Sequence, residues 1–134
     1  MKQVLLDTNV VLRLLLADHK NHYQRAINLF NAAADKKYRL QINAEVLAEC
    51  IFVFESFYKI LRADIVDLMK RLLSHPGIYG SEMNVLKISL ELYDSSNIDI
   101  ADCLLAARAQ AQNCLVATFD TDFKKLKNVE LLDF

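Results

Sequence analysis

Glycine and proline are nearly absent, with two and one in 134 residues, where average usage would supply about nine and about seven. Tight turns must therefore be few, which argues against β-sandwiches, glycine-dependent phosphate loops and flexible linkers and favours a helix-rich fold. No C-x-x-C pair occurs, and Cys50, Cys103 and Cys114 form an odd set, each inside an apolar run as a small buried hydrophobe would be. A reducing compartment fits, so a cytoplasmic location is expected. Asp7 and Arg13 interrupt the first apolar stretches, and neither a basic n-region nor a small-residue cleavage site is visible, so no signal peptide is expected. No run reaches the roughly 18 apolar residues that span a bilayer, so no membrane partner is expected. Neither sign of charge dominates: 16 basic residues against 17 acidic give −1, a sum that by itself points to no nucleic acid. G-x-S-x-G, H-E-x-x-H and G-x-x-x-x-G-K-[ST] are all missing.

What is present is a dense aliphatic chain. Hydrophobic residues make up 54%, and leucine alone supplies 22, so disorder is not expected. The length fits one domain over residues 1–134, able to bury about two-thirds of its unfolded surface without disulfides or a structural metal. Gln3 to Leu6 reads as a strand, followed by a polar turn and a short helix to Ala17 capped by Asp7 or Thr8. Helices follow by three- and four-residue spacing over about Asn21 to Ala34, Ala44 to Ile60 (capped by Asn43), Ala63 to Leu73, Met83 to Tyr93 and Ile100 to Gln112. Arg39 to Ile42, Cys114 to Ala117 and Val129 to Leu132 read as strands, and Ile78 and Tyr79 as a minimal one. The third helix is apolar on more than one face, through Phe52, Phe54, Phe57 and Tyr58 among others. It is either buried on most sides or carries a partner surface. Strands alternating with helices predict an α/β fold, a small central parallel sheet flanked by helices in three layers. In such sheets the ligand site lies beyond the carboxyl ends of the strands.

Carboxylates collect there. Asp7 follows the first strand, and Asp120 and Asp122 follow the strand Cys114 to Ala117. Glu49 and Asp102 sit in apolar helix segments, where acids are rarely buried unless paired or metal-bound. Singly, each has a plain explanation: Asp7 as an N-cap, Glu49 and Asp102 as first-turn acids favoured by the helix dipole, Asp120 as a turn residue. Together on one rim, four carboxylates would repel one another unless a cation sat among them. All-oxygen ligation favours Mg²⁺ or Mn²⁺. Such a centre suits phosphodiester hydrolysis by an activated water and needs no side-chain nucleophile. An aspartyl-nucleophile phosphatase would want a second acid two residues after Asp7, where Asn9 stands.

The segments LLDTNVVLRLLL, VLAECIFVFE, IDIADCLLAARA and ATFDTDF resemble, in order and spacing over the whole chain, the four motifs of the PIN-domain ribonucleases, and most nearly the VapC-type toxins of toxin-antitoxin modules. The resemblance implies a PIN-like fold and makes Asp7, Glu49, Asp102 and Asp120 the catalytic, metal-binding acids. Asp122 becomes a supplementary ligand or water-orienting group, and Asn9 and Thr118 would hold the carboxylates or the attacking water. It also implies a cytoplasmic endoribonuclease dependent on Mg²⁺ or Mn²⁺, commonly a homodimer, silenced by a VapB-type antitoxin and leaving a 5′-phosphate and a 3′-hydroxyl. A non-catalytic RNA- or protein-binding module, a DNA-directed nuclease and a metal-dependent phosphatase on a related fold are the competing readings. Asp99 is read as the N-cap of the helix that begins at Ile100, and Glu45 as solvated.

With four acids neutralised by metal the balance becomes 16 against 17 − 4 = 13, or +3, which tolerates an RNA substrate. Candidate phosphate contacts are Arg13, the cluster Lys36, Lys37 and Arg39, and Lys124, Lys125 and Lys127. His19 and His22 lack cysteine partners at zinc spacing and are expected in solvent, and His75 in a helix stop.

Overall fold

The computed structural model describes residues 1–134. It has the expected α/β class, with three parallel strands and six α-helices. The chain divides into two compact units, Met1–Ser81 and Glu82–Phe134.

The first unit holds the sheet. β1 (Lys2–Leu5) leads into α1 (Thr8–Leu16) and α2 (Lys20–Ala34), and β2 (Tyr38–Gln41) into α3 (Ala44–Ser56) and α4 (Arg62–Leu73), before β3 (Ile78–Tyr79). The strands lie in the order β1-β2-β3. Each crossover is thus a pair of helices, the long connection that parallel pairing requires. β1 pairs β2 with Lys2 opposite Tyr38 and Leu5 opposite Gln41. The Leu6 amide continues the ladder by donating to the Gln41 carbonyl at 2.9 Å.

The helices form where the apolar spacing predicts them, within a few residues at their ends. The third is shorter than expected. It stops at Ser56 because the Phe57 and Tyr58 amides both close on the Val53 carbonyl and Lys59 turns to a left-handed φ of 55°. Its two apolar faces have different fates: Leu47, Cys50, Ile51 and Phe54 are fully buried, whereas Phe52 and Phe57 are 63% and 77% exposed.

The second unit is built on α5 (Met83–Asp94) against α6 (Ile100–Gln112), with Leu90, Tyr93, Cys103, Ala106 and Ala107 closed from solvent. Small alanines allow the helices to approach closely around Tyr93. Arg108 Nε donates to Glu82 Oε1 at 3.2 Å across the pair. The strands expected over Cys114 to Ala117 and Val129 to Leu132 reduce to a single parallel bridge, Val116 to Leu131. Two turns explain the loss. The Cys114 amide is taken by the Ala109 carbonyl at 2.8 Å as part of the α6 terminus, where Asn113 is left-handed, and Asn128 turns left-handed before the other segment.

Scarce glycine does not mean scarce corners. Ala17, Lys36, Lys59, Asn113 and Asn128 all hold positive φ without being glycine. The glycine that sterics demand is Gly77, just before β3: a Cβ there would lie 2.5 Å from the Ala33 Cβ of α2 and 3.0 Å from the Ala33 carbonyl carbon. Gly80 has open space, its nearest neighbour being the Ile42 carbonyl oxygen at 3.9 Å.

These contacts predict opposite outcomes for one substitution. Gly77→Ala forces β3 away from α2 and should cost about 1–3 kcal/mol, the usual range for overpacking. Gly80→Ala should be neutral or stabilise by up to about 1 kcal/mol through the unfolded chain. Urea unfolding of the two variants beside the parent chain measures both; equal stability of the two would refute the close-approach argument.

Candidate active site

In the first unit the site begins at the carboxyl ends of β1 and β2. The register sets Leu5 level with Gln41, so the residues two steps on, Asp7 and Asn43, open helices on the same edge. Asp7 is the N-cap of α1, its Oδ2 accepting from the Asn9 amide at 3.2 Å. Asn43 is the N-cap of α3, its Oδ1 accepting from the Val46 amide at 3.0 Å. Glu49 lies in the second turn of α3 and is exposed. Its Oε2 accepts from the buried Thr8 hydroxyl at 2.9 Å, a bond between residues 41 apart in sequence. The first two acidic motifs are thereby tied together next to Asp7.

Directly behind Glu49 is Cys50, wholly buried. Burial first, then the charges of Glu49 and Asp7, push its thiol up to about 12. A thiol so far above neutral pH carries almost no thiolate and is no nucleophile.

The second unit carries the other acids. Asp99 is the N-cap of α6, its Oδ1 accepting from the Asp102 amide at 3.0 Å. Asp102 is half-buried in the first turn, and its pKa is raised, by desolvation first and then by the charges of Asp99 and Asp120. Asp122 adds a smaller push in the same direction. Asp120 caps the short 3-10 helix Thr121–Lys125, Oδ1 accepting from the Asp122 amide at 2.9 Å. The Asp120 amide in turn donates to Thr118 Oγ1 at 3.0 Å. Thr118 therefore fixes the backbone that carries Asp120, and Asn9 grips Asp7 through its own backbone. The hydroxyl that does hold a carboxylate is that of Thr8, which sequence reading marks only as a cap. The motif writes Thr8 beside Asp7, but only the β1–β2 register reveals that it reaches Glu49.

Asp7, Glu49 and Asp120 each have one carboxylate oxygen restrained by an N–H or O–H donor, which leaves the second oxygen for a ligand. Within neither unit do three or more His, Cys, Asp or Glu side chains gather closely enough to hold a metal ion. The donor chemistry nevertheless fits one. Every candidate offers hard carboxylate oxygen, and the groups that shift Asp102 are like charges with no cation among them.

The basic candidates are partly engaged. Arg13 Nη1 binds Asp18 Oδ1 at 2.7 Å, and Tyr58 donates to the other Asp18 oxygen at 3.2 Å. Lys125 Nζ lies 3.1 Å from Asp122 Oδ1. Arg39 covers the Tyr79 ring at 4.1 Å, so its guanidinium is turned to the sheet. A cavity of about 430 Å³ beside Asn9 is lined by Val10, Arg13, His22, Arg25 and Leu29, among others. His22 stacks on His19 at 3.9 Å, and its pKa is lowered by His19, by burial and by the positive charges of Arg25 and Arg13. His19 and His22 are exposed, as expected, and Arg25 and His22 line this cavity without any motif marking them.

A family model described as the PIN domain matches residues 4–129. The chain is 27% identical over 124 residues to the VapC ribonuclease of Aquifex aeolicus (strain VF5), covering 91% of this chain and 90% of that protein. It is also similar to a chain in the crystal structure of VapBC2 from Rickettsia felis bound to a DNA fragment from their promoter, at 25% identity over 98% of each chain and a TM-score of 0.40.

Asp99 offers a test of the electrostatics in the second unit. A negative neighbour favours the protonated carboxyl, so Asp99→Asn, which keeps a capping oxygen, should lower the Asp102 pKa toward the ordinary carboxylate value. It should not restore it fully, because burial is the largest cause. Carbon-detected NMR titration of the side-chain carboxyl reads this directly, and an unchanged Asp102 midpoint would contradict the like-charge account.

Proposed function

The chain belongs to the PIN domain family, and from that premise we propose that it is a divalent-metal-dependent endoribonuclease of the VapC type, formed by residues 1–134 as a single nuclease domain. The observation that carries the proposal is the Thr8–Glu49 hydrogen bond of 2.9 Å, which joins the first two acidic motifs beside Asp7 and orients the Glu49 carboxylate. The name of the Aquifex aeolicus relative, a VapC ribonuclease, supports the substrate class.

Asp7, Glu49, Asp102 and Asp120 are the residues we assign as ligands of Mg²⁺ or Mn²⁺, with Asp122 supplementary, each on the strength of the motif in which it stands. When bound, such an ion polarises a phosphoryl oxygen and activates water for attack on phosphorus. The protein's own part is orientation. Thr8 directs Glu49, the Asn9 amide directs Asp7, and Thr118 sets the turn that presents Asp120. Carboxylates restrained in advance lose less conformational freedom when they take up a ligand. Cys50 stays protonated and takes no part.

The RNA would be met by positive charge. Arg13 and Arg25 face the cavity beside Asn9, and Lys124 and Lys125 follow Asp122. The two arginines on one cavity wall support a phosphate path on the α1 and α2 side. No helix is long and apolar enough to cross a membrane. A cytoplasmic location, a homodimer and silencing by a VapB-type antitoxin complete the proposal.

Asp7→Asn and Asp102→Asn should each lower RNA cleavage by more than about 100-fold, beyond the 10–100-fold typical when only a supporting partner of a metal ligand is lost. Circular dichroism should show both variants folded, and EDTA should stop the parent protein. RNA cleavage by both variants at the parental rate, in the same Mg²⁺ or Mn²⁺ buffer, would end the assignment.

A further inference from the structure

We infer that Phe119 and Phe134 form a stacking ledge for one nucleobase of single-stranded RNA, beside Asp120. The inference rests on the ribonuclease reading above and adds a subsite to it.

Phe119 is 90% exposed, more than any other large apolar side chain of the protein. Its exposure is not slack in a loose loop. Thr118 Oγ1 accepts from the Asp120 amide at 3.0 Å, and Asp120 Oδ1 accepts from the Asp122 amide at 2.9 Å, so hydrogen bonds on the two following turns hold residue 119 at the crest. Four residues on, Phe123 of the same motif is 2% exposed. The segment therefore has its core anchor, and Phe119 is left over from packing. Its ring meets that of Phe134 with centroids 5.0 Å apart and planes tilted by 46°. Phe134 is itself 67% exposed. A tilted pair of this kind leaves ring faces open to a third aromatic system.

Charge decides what that third system is. In sequence the ledge is flanked by Asp120, Asp122 and Asp133 and by the exposed Lys124 and Lys125, of which Lys125 is paired with Asp122 at 3.1 Å. A second copy of the chain would have to bury these charges, and the cores of protein interfaces are depleted of them. A nucleotide needs both features at once: an exposed ring for its base and a cation close by along the chain for its phosphate, here Lys124. Stacking accepts any base, because every base has a π-face. The ledge would then hold one nucleotide of the strand and leave the choice of sequence to other contacts.

Fluorescence anisotropy of a labelled single-stranded RNA without added metal tests this independently of cleavage. Phe119→Ala should weaken binding by about tenfold, within the range for loss of one base stack. Phe119→Tyr should bind as the parent does, and Phe119→Leu, which keeps apolar bulk but no π-face, should match the alanine variant. An oligonucleotide with one abasic nucleotide, moved along the strand, should at one position bind parent and Phe119→Ala equally. The inference is overturned by equal RNA binding of parent and Phe119→Ala, by rescue with leucine, or by no parental binding at all. It is overturned as well if sedimentation shows that Phe119→Ala abolishes self-association while RNA binding is kept. RNA that is bound with this aromatic dependence yet never cleaved, in Mg²⁺ or Mn²⁺, would remove the nuclease reading and leave the ledge standing.

Discussion

In the parallel pairing of β1 with β2, Leu5 sits level with Gln41 and Leu6 still donates to the Gln41 carbonyl. This register governs the geometry of the whole sheet edge. A slip of one residue would turn every β1 side chain to the other face and carry Thr8 away from Glu49. It would also misalign the capped starts of α1 and α3, which share an edge only because their strands end together. The bond that depends on this alignment is not a surface ornament. Thr8 is 5% exposed, and a hydroxyl buried to that degree is costly to leave without a partner. Its acceptor is charged, which makes the bond stronger than one between neutral groups.

Electrostatic strain is distributed differently among the acidic residues. Burial first, with Glu49 and Asp7 adding to it, keeps the proton on Cys50, so the thiol is inert. Asp102 is pushed itself, by burial first and then by three aspartates of its own unit. Restraint of one oxygen on Asp7, Glu49 and Asp120 by hydrogen bonds then serves two ends. It offsets part of the repulsion in the uncomplexed chain, and it aims the remaining oxygens.

The helices were legible because apolar residues recur every three or four positions, and the caps Asp7, Asn43 and Asp99 because short polar side chains stand just before those recurrences. The α/β class and the family were legible from strand-length runs between helices and from the four acidic motifs in order. Three things were not. The Thr8–Glu49 bond depends on a strand register that no local pattern encodes. The segments around Cys114 and Val129 have β-branched and apolar composition, but the left-handed turns at Asn113 and Asn128 leave room for one bridge only. The fate of each aromatic also depends on tertiary direction: Phe54 and Phe52 lie on one helix, the first buried and the second in water.

The five left-handed corners at Ala17, Lys36, Lys59, Asn113 and Asn128 bear on how this chain can evolve. A residue with a Cβ in that conformation costs roughly 1–2 kcal/mol that glycine would not incur, with asparagine less penalised. Three of the five are alanine or lysine, so the fold runs below the stability its backbone allows. Mutation to glycine at any of those three sites is a reserve, and none of the three belongs to the acidic motifs. Drawing on it would let the lineage accept otherwise ruinous changes around Asp7 or Asp102 and so explore new targets without unfolding.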